Sequence, residues 1–211
     1  MASFKIAYDT YIKPGEGYYV NNPADKGGET YGGIARNFFP SWQGWAVVDF
    51  YKKHTNPKPP TNTKIPGLEG MVEEFFKTQF WNRNRFSEIN NQDLANIIFD
   101  WNVNSGGTGI KKVQQILGVA ADGAIGPQTL AAINNAPVQS LYSTIKEARA
   151  AFYKSLATNP TQSQFLKGWL NRLAKFPEVI ATPTGGAVSI LLLAGLFFLG
   201  YQYFKPKLKA A

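Results

Sequence analysis

Apolar residues at Phe4, Ala7, Tyr8, Tyr11 and Ile12 follow the i, i+3, i+4, i+7, i+8 spacing of one helix face. The spacing predicts a first helix that ends just before Pro14 and Gly15. Ser41 reads as the N-cap of a helix running through Lys53. The proline-rich stretch Thr55 to Gly67 reads as a loop. Further helices are predicted at 68–79, 92–103, 108–117, 127–134, 138–157 and 162–175, and Leu94, Ile97, Ile98 and Trp101 mark the buried face of the 92–103 helix. Convincing strand pairs are absent, although residues 17–35 have room for a small β-hairpin. Residues 3–176 therefore read as mainly α.

The polarity changes at the C-terminus. The 26 residues between Glu178 and Lys205 carry no charge, and Ala187 to Phe204 is long enough for a helix to cross a bilayer core. Tyr201 and Tyr203 stand where an interfacial aromatic belt would, and Lys205, Lys207 and Lys209 close the segment. The expectation is one C-terminal transmembrane helix at 187–204, a linker at 179–186 before it and a basic tail at 205–211. The N-terminus, Met1 to Ile6, shows no apolar core of an export signal. Basic flanks held in the cytoplasm put the large domain outside, whereas insertion after synthesis leaves it inside. The outward arrangement is the expectation.

Composition narrows the chemistry. The 211 residues include no cysteine and one histidine, His54, at an expected helix end, so disulfides and thiolate metal sites are excluded. A Ser–His–Asp hydrolase or a His-ligated zinc amidase would rest on His54 alone, and both are set aside. No metal or cofactor is expected. The formal charge of +8 suits an anionic polymer or surface. The basic residues are scattered in ones and twos, which argues against a dedicated nucleic-acid arm.

One stretch has the residues for cleaving a glycosidic bond: Glu16-Gly-Tyr-Tyr-Val-Asn-Asn-Pro-Ala-Asp25-Lys-Gly-Gly-Glu29-Thr30. That hydrolysis needs a protonated carboxyl beside the leaving oxygen and a second polar group to place water or steady the sugar cation. Glu16 would stand at the mouth of the first helix, close to its apolar face, where a carboxyl has its charged form disfavoured. The competing reading, ordinary solvated acids, applies to any single Glu–Asp pair.

Glu16 to Thr30, followed by Gly33-Ile34, resembles the opening of the glycoside hydrolase family 108 muramidases, with their Glu-Gly-Gly-Tyr motif followed by Asp, Gly-Gly, Thr and Gly-Ile. The second half resembles the type 3 peptidoglycan-binding domain. Its ordered motifs are Asp100-Trp-Asn-Val-Asn104-Ser-Gly106, Val113-Gln-Gln-Ile-Leu-Gly118, Asp122-Gly-Ala-Ile-Gly-Pro127-Gln-Thr129, Arg149-Ala-Ala-Phe-Tyr153 and Gly168-Trp169. The resemblance implies a lysozyme-like catalytic region at 1–90 and a helical peptidoglycan-binding region at 91–178 packed on it. It implies cleavage between N-acetylmuramic acid and N-acetylglucosamine, with Glu16 as the essential acid. Similarity to phage lysozymes gives Asp25 and Thr30 the placing of the attacking water, with Thr30 one residue earlier than in that pattern. Two further positions depart from the family. Tyr18 replaces the second glycine, and Tyr31-Gly32 stands where Asn-Tyr is usual. Tyr18 either narrows the groove or gives a sugar a face to stack on.

Expected substrate contacts are Tyr18, Tyr19, Asp100, Trp101, Asn104, Asp122, Gly123 and Thr129. Asp100 and Asn104 lie one helical turn apart and share a face. The Asp122 to Pro127 run equally describes a purely structural turn into a helix. Trp42, Trp45, Trp81 and Trp101 at helical spacing more often fill cores than meet sugars. Expected partners are peptidoglycan glycan strands, a membrane through 187–204, and a holin or a secretion or injection machine. The expected place is the bacterial inner membrane, facing the wall. A function of another class stays open: a non-catalytic scaffold that grips peptidoglycan for a larger assembly.

Overall fold

The helix that organises the chain is α4, Gln92–Ser105, in which nine consecutive residues from Leu94 to Asn102 are buried. A helix buried on every side must be wrapped by others. In the computed structural model, which describes residues 1–22 and 27–178, it packs on the N-terminal helix, on α5 (Gly107–Leu117) and on α7 (Val138–Leu156). The described residues fall within one compact unit, Met1–Ile180.

The first helix begins as α1, Phe4–Ala7, and continues in wider π-helical winding over Tyr8–Ile12. Ala7, Tyr8, Tyr11 and Ile12 are buried as their spacing requires. Phe4 stacks on Tyr8 and meets Trp81 and Phe99 edge-on, fixing the helix against α4. After the Pro14–Gly15 stop come β1 (Tyr19–Asn21), β2 (Glu29–Tyr31) and β3 (Ile34–Ala35). They form an antiparallel sheet in the order β1-β2-β3, with Tyr19 opposite Tyr31 and Thr30 opposite Ala35. The region is thus a three-stranded sheet and not only a hairpin.

Next are α2 (Gly44–His54) and α3 (Glu69–Phe76), the latter running into a second π-helical stretch, Lys77–Asn82. Ser41 does not cap α2, which starts three residues later with no side-chain cap. The remaining α-helices among the described residues are α6 (Pro127–Asn135), α8 (Pro160–Ser163) and α9 (Leu166–Leu173). Pro160 opens α8 as a separate short turn, so the expected 162–175 helix is two pieces.

The expected fold class needs one correction. No helix among the described residues is long and apolar enough to cross a membrane. The longest, α7, has 19 residues but carries Lys146, Glu147, Arg149 and Lys154, which makes it a helix of the domain and not a span. Residues 187–204, where the transmembrane helix was expected, lie outside the described residues. The architecture observed is a mainly α domain with a small sheet.

Gly109 sets how closely α4 and α5 approach, since a β-carbon there would lie 2.8 Å from the backbone oxygen of Trp101. Gly109→Ala should force the two helices apart. Overpacking of this kind costs about 1–3 kcal/mol, so the melting temperature should fall by roughly 2–10 °C; an unchanged melting temperature would refute the contact.

Candidate functional site

Glu16 is placed by a turn that the sequence makes sharp. The N–H of Gly15 donates to Ile12 O at 2.9 Å, closing the helix, and Gly17 takes φ +53°. Glu16 is left partly buried between the helix end and the sheet. Its Oε1 accepts from Arg172 Nη1 at 2.6 Å. Its Oε2, without a hydrogen bond among the described residues, lies against Gly33. A β-carbon on Gly33, where φ is +80°, would be 2.3 Å from that oxygen. Gly32 beside it donates its N–H to Tyr18 O at 3.3 Å, so one glycine turn abuts the carboxyl and carries the backbone of Tyr18. The sequence led us to expect an apolar face against Glu16; the group found there is a guanidinium.

Behind Arg172 lies a buried polar chain. Arg172 Nε donates to Asp100 Oδ1 at 2.9 Å, and Asp100 Oδ2 is paired with Arg149, with both Asp100 and Arg149 at 0% side-chain exposure. Arg149 Nε donates to the hydroxyl of Tyr153 at 2.8 Å, and that hydroxyl donates to Asn104 Oδ1 at 2.6 Å. Burial opposes the charge on Arg172, but the carboxylates of Asp100 and Glu16 outweigh it and hold its pKa above the ordinary arginine value. Burial raises the Tyr153 pKa despite the opposing charge of Arg149, so the phenol stays a neutral donor. The chain joins the turn after α1 to α4, α7 and α9. It can do one thing chemically: hold a single carboxylate in a fixed orientation with one oxygen left for a reacting partner.

The other expected site residues divide. Asp25 lies outside the described residues. Thr30 is in the middle of β2, partly buried, with its hydroxyl donating to Gly28 O at 3.2 Å. Its neighbour Glu29 is fully engaged, by Arg36 and Lys52 at 2.8 Å each and by the Tyr19 hydroxyl at 2.8 Å. Tyr18 is exposed, with Lys64 Nζ 5.9 Å from its ring centroid.

Tyr19 is closed off at 2% exposure, and burial followed by its bond to Glu29 pushes its pKa up to about 12. Trp101 and Asp100 have no exposed surface. These three, expected as substrate contacts, lie in the interior of this structure. The Asp122 turn is organised from within by buried Gln114, whose Nε2 donates to Asp122 Oδ1, Ala124 O and Thr129 Oγ1 and whose Oε1 accepts from Gly123 N–H. Asp122, Gly123 and Thr129 are accounted for by that turn.

Arg172, the direct partner of Glu16, was missed in the sequence, because nothing local marks it. Arg149 and Tyr153 lay in a motif without an assigned role. Among the described residues no group of three or more His, Asp or Glu side chains is placed to hold a metal ion. A separate groove of about 520 Å³ lies between Phe39, Trp42, Glu74 and Phe75 and contains no member of the Glu16 network.

Two substitutions test this arrangement. Gly33→Ala should push the Glu16 carboxyl aside and lower any activity that depends on it by about 10²-fold, and the strain of a side chain at φ +80° should lower the melting temperature as well. Activity equal to wild type would refute the contact. Asp100→Asn should cost about 3–5 kcal/mol in chemical denaturation by leaving buried Arg149 without its counter-charge; a variant as stable as wild type would show that the pair is not what holds α4 to α7.

Comparison with known proteins adds identity to this geometry. The family model described as glycosyl hydrolase 108 matches residues 10–106, and the one described as a predicted peptidoglycan domain matches residues 108–174. Among solved structures, that of Brucella abortus SagA is similar, with a TM-score of 0.61 at 25% identity, covering 82% of this chain and 90% of that one. No curated protein matches. The Glu16–Arg172 pair runs from the first matched segment to the second, and the two matches, glycosyl hydrolase 108 followed by a predicted peptidoglycan domain, support a glycoside hydrolase that acts on peptidoglycan.

Proposed function

We propose that the chain is a muramidase, hydrolysing the bond from N-acetylmuramic acid to N-acetylglucosamine, with Glu16 as the general acid. The observation that carries the reading is the holding of Glu16: Oε1 is gripped by Arg172 at 2.6 Å while Oε2 faces the bare backbone of Gly33. A proton on Oε2 can be passed to a leaving sugar oxygen while the carboxyl keeps its orientation. Asp25 and Thr30 take the other side of the reaction, placing water or steadying the sugar cation. Glu29 is disfavoured for that part, because its two oxygens already serve Arg36, Lys52 and Tyr19. The place of action is the peptidoglycan layer.

Purified peptidoglycan digested with the full chain should yield new reducing ends of muramic acid; reducing glucosamine ends would overturn the choice of bond. Glu16→Gln should bind the wall and lose about 10²- to 10⁴-fold in turnover, and near-wild-type digestion by a folded variant would remove Glu16 from the role. Absence of released fragments from the wild-type chain, with wall binding intact, would favour the scaffold. Asp25→Asn and Thr30→Ala should lose more activity per unit of stability than Glu29→Gln, whose damage should be to the melting temperature. The reverse order would transfer the water-placing role to Glu29.

A further inference from the structure

The segment matched to the peptidoglycan domain needs a surface by which to meet its polymer. Its most distinctive motif, the Asp122 turn, is engaged from inside by Gln114. A different feature of the same segment is open to solvent. Phe165, just before α9, is 49% exposed, and its ring is 5.9 Å from that of Trp169. Trp169 is partly exposed and is stacked, at 5.4 Å and 24°, on Tyr153.

The spacing aligns these groups with the carboxyl. Residues four and three apart on a helix share a face, so Phe165, Trp169 and Arg172 run along one side of α9 and end at Glu16. Below them the Tyr153 hydroxyl is held by Arg149 and Asn104, which fixes the ring on which Trp169 rests. Tyr153 therefore supports the indole from beneath and also takes part in the chain of bonds behind Glu16. Large flat rings fixed from one side offer an apolar face at little entropic cost. The face of a pyranose ring is a row of C–H groups and fits such a surface. Asn104, partly buried at the edge of Tyr153, adds a polar side chain of the kind that fixes orientation in an otherwise apolar site.

We infer that Phe165 and Trp169 form a ledge on which sugar rings of the peptidoglycan strand stack, so that α9 both seats the strand and supplies Arg172 to the acid. This rests on the muramidase reading for its substrate, but not for its readout. Binding is measured by co-sedimentation of the full-length Glu16→Gln chain with purified insoluble peptidoglycan, alone and with Phe165→Ala or Trp169→Phe added.

Phe165→Ala should weaken retention roughly three- to tenfold with the melting temperature nearly unchanged. In the otherwise wild-type chain it should raise KM by a similar factor and leave kcat close to its original value. Trp169→Phe keeps a ring over Tyr153 and should give a smaller loss of the same kind. Retention by Phe165→Ala and Trp169→Phe equal to that of the parent overturns the ledge. Loss of retention on Asp122→Asn, with none on Phe165→Ala, moves the contact to the Asp122 turn and overturns it too. Digestion of the wall by Glu16→Gln itself would instead strike the proposed chemistry and leave the binding comparison readable on chitin oligosaccharides.

Discussion

A carboxylate with no access to solvent holds the molecule together. Asp100 is at 0% exposure, and its two oxygens are taken by Arg149 and Arg172. Isolated, such a charge would be prohibitively unfavourable, and it is tolerated because both partners reach it in hydrogen-bonding geometry. The requirement ties α4 to α7 and α9 simultaneously. Tyr11 stacked on Phe176 at 4.1 Å draws the N-terminal helix to the same end. Arg172 then has one guanidinium nitrogen left over, and that nitrogen holds Glu16.

Helix faces were legible because periodicity is a local property: the buried side of the first helix and of α4 follows from spacing alone. Punctuation was legible too, in the Pro14–Gly15 stop and in Pro127 opening α6. The interior chemistry was not. Asp100 and Asn104 do share a face, but which way that face turns is decided by arginines 49 and 72 positions further along the chain. A buried charge and a cleft charge look alike until their partners are known. The Asp122 run had two readings of equal standing, and Gln114, eight residues earlier and in a different motif, favours the structural one. The resemblance located Glu16; only the fold revealed its arginine.

The small sheet meets a different constraint with the same economy of groups. Glu29, with Arg36, Lys52 and Tyr19 around it, neutralises the charge between β2 and α2 and pins the strands that carry Thr30. Gly32 and Gly33 end β2 in a turn with positive φ at both positions, close enough to Val72 and to Glu16 that neither tolerates a side chain without displacement. The sheet's position and the acid's position are therefore set by one turn.

The Glu16–Arg172 pair also has a direction in time. The two residues are 156 positions apart, one at the end of the first helix and the other in the last helix described. Protein chains emerge N-terminus first, so the carboxyl is made well before the guanidinium that holds it. A nascent chain halted anywhere before residue 172 has the carboxyl but not the guanidinium, and a proteolytic cut that releases α9 returns it to that condition. The order of synthesis therefore works as an interlock: the carboxyl and its guanidinium come together only once α9 has been made.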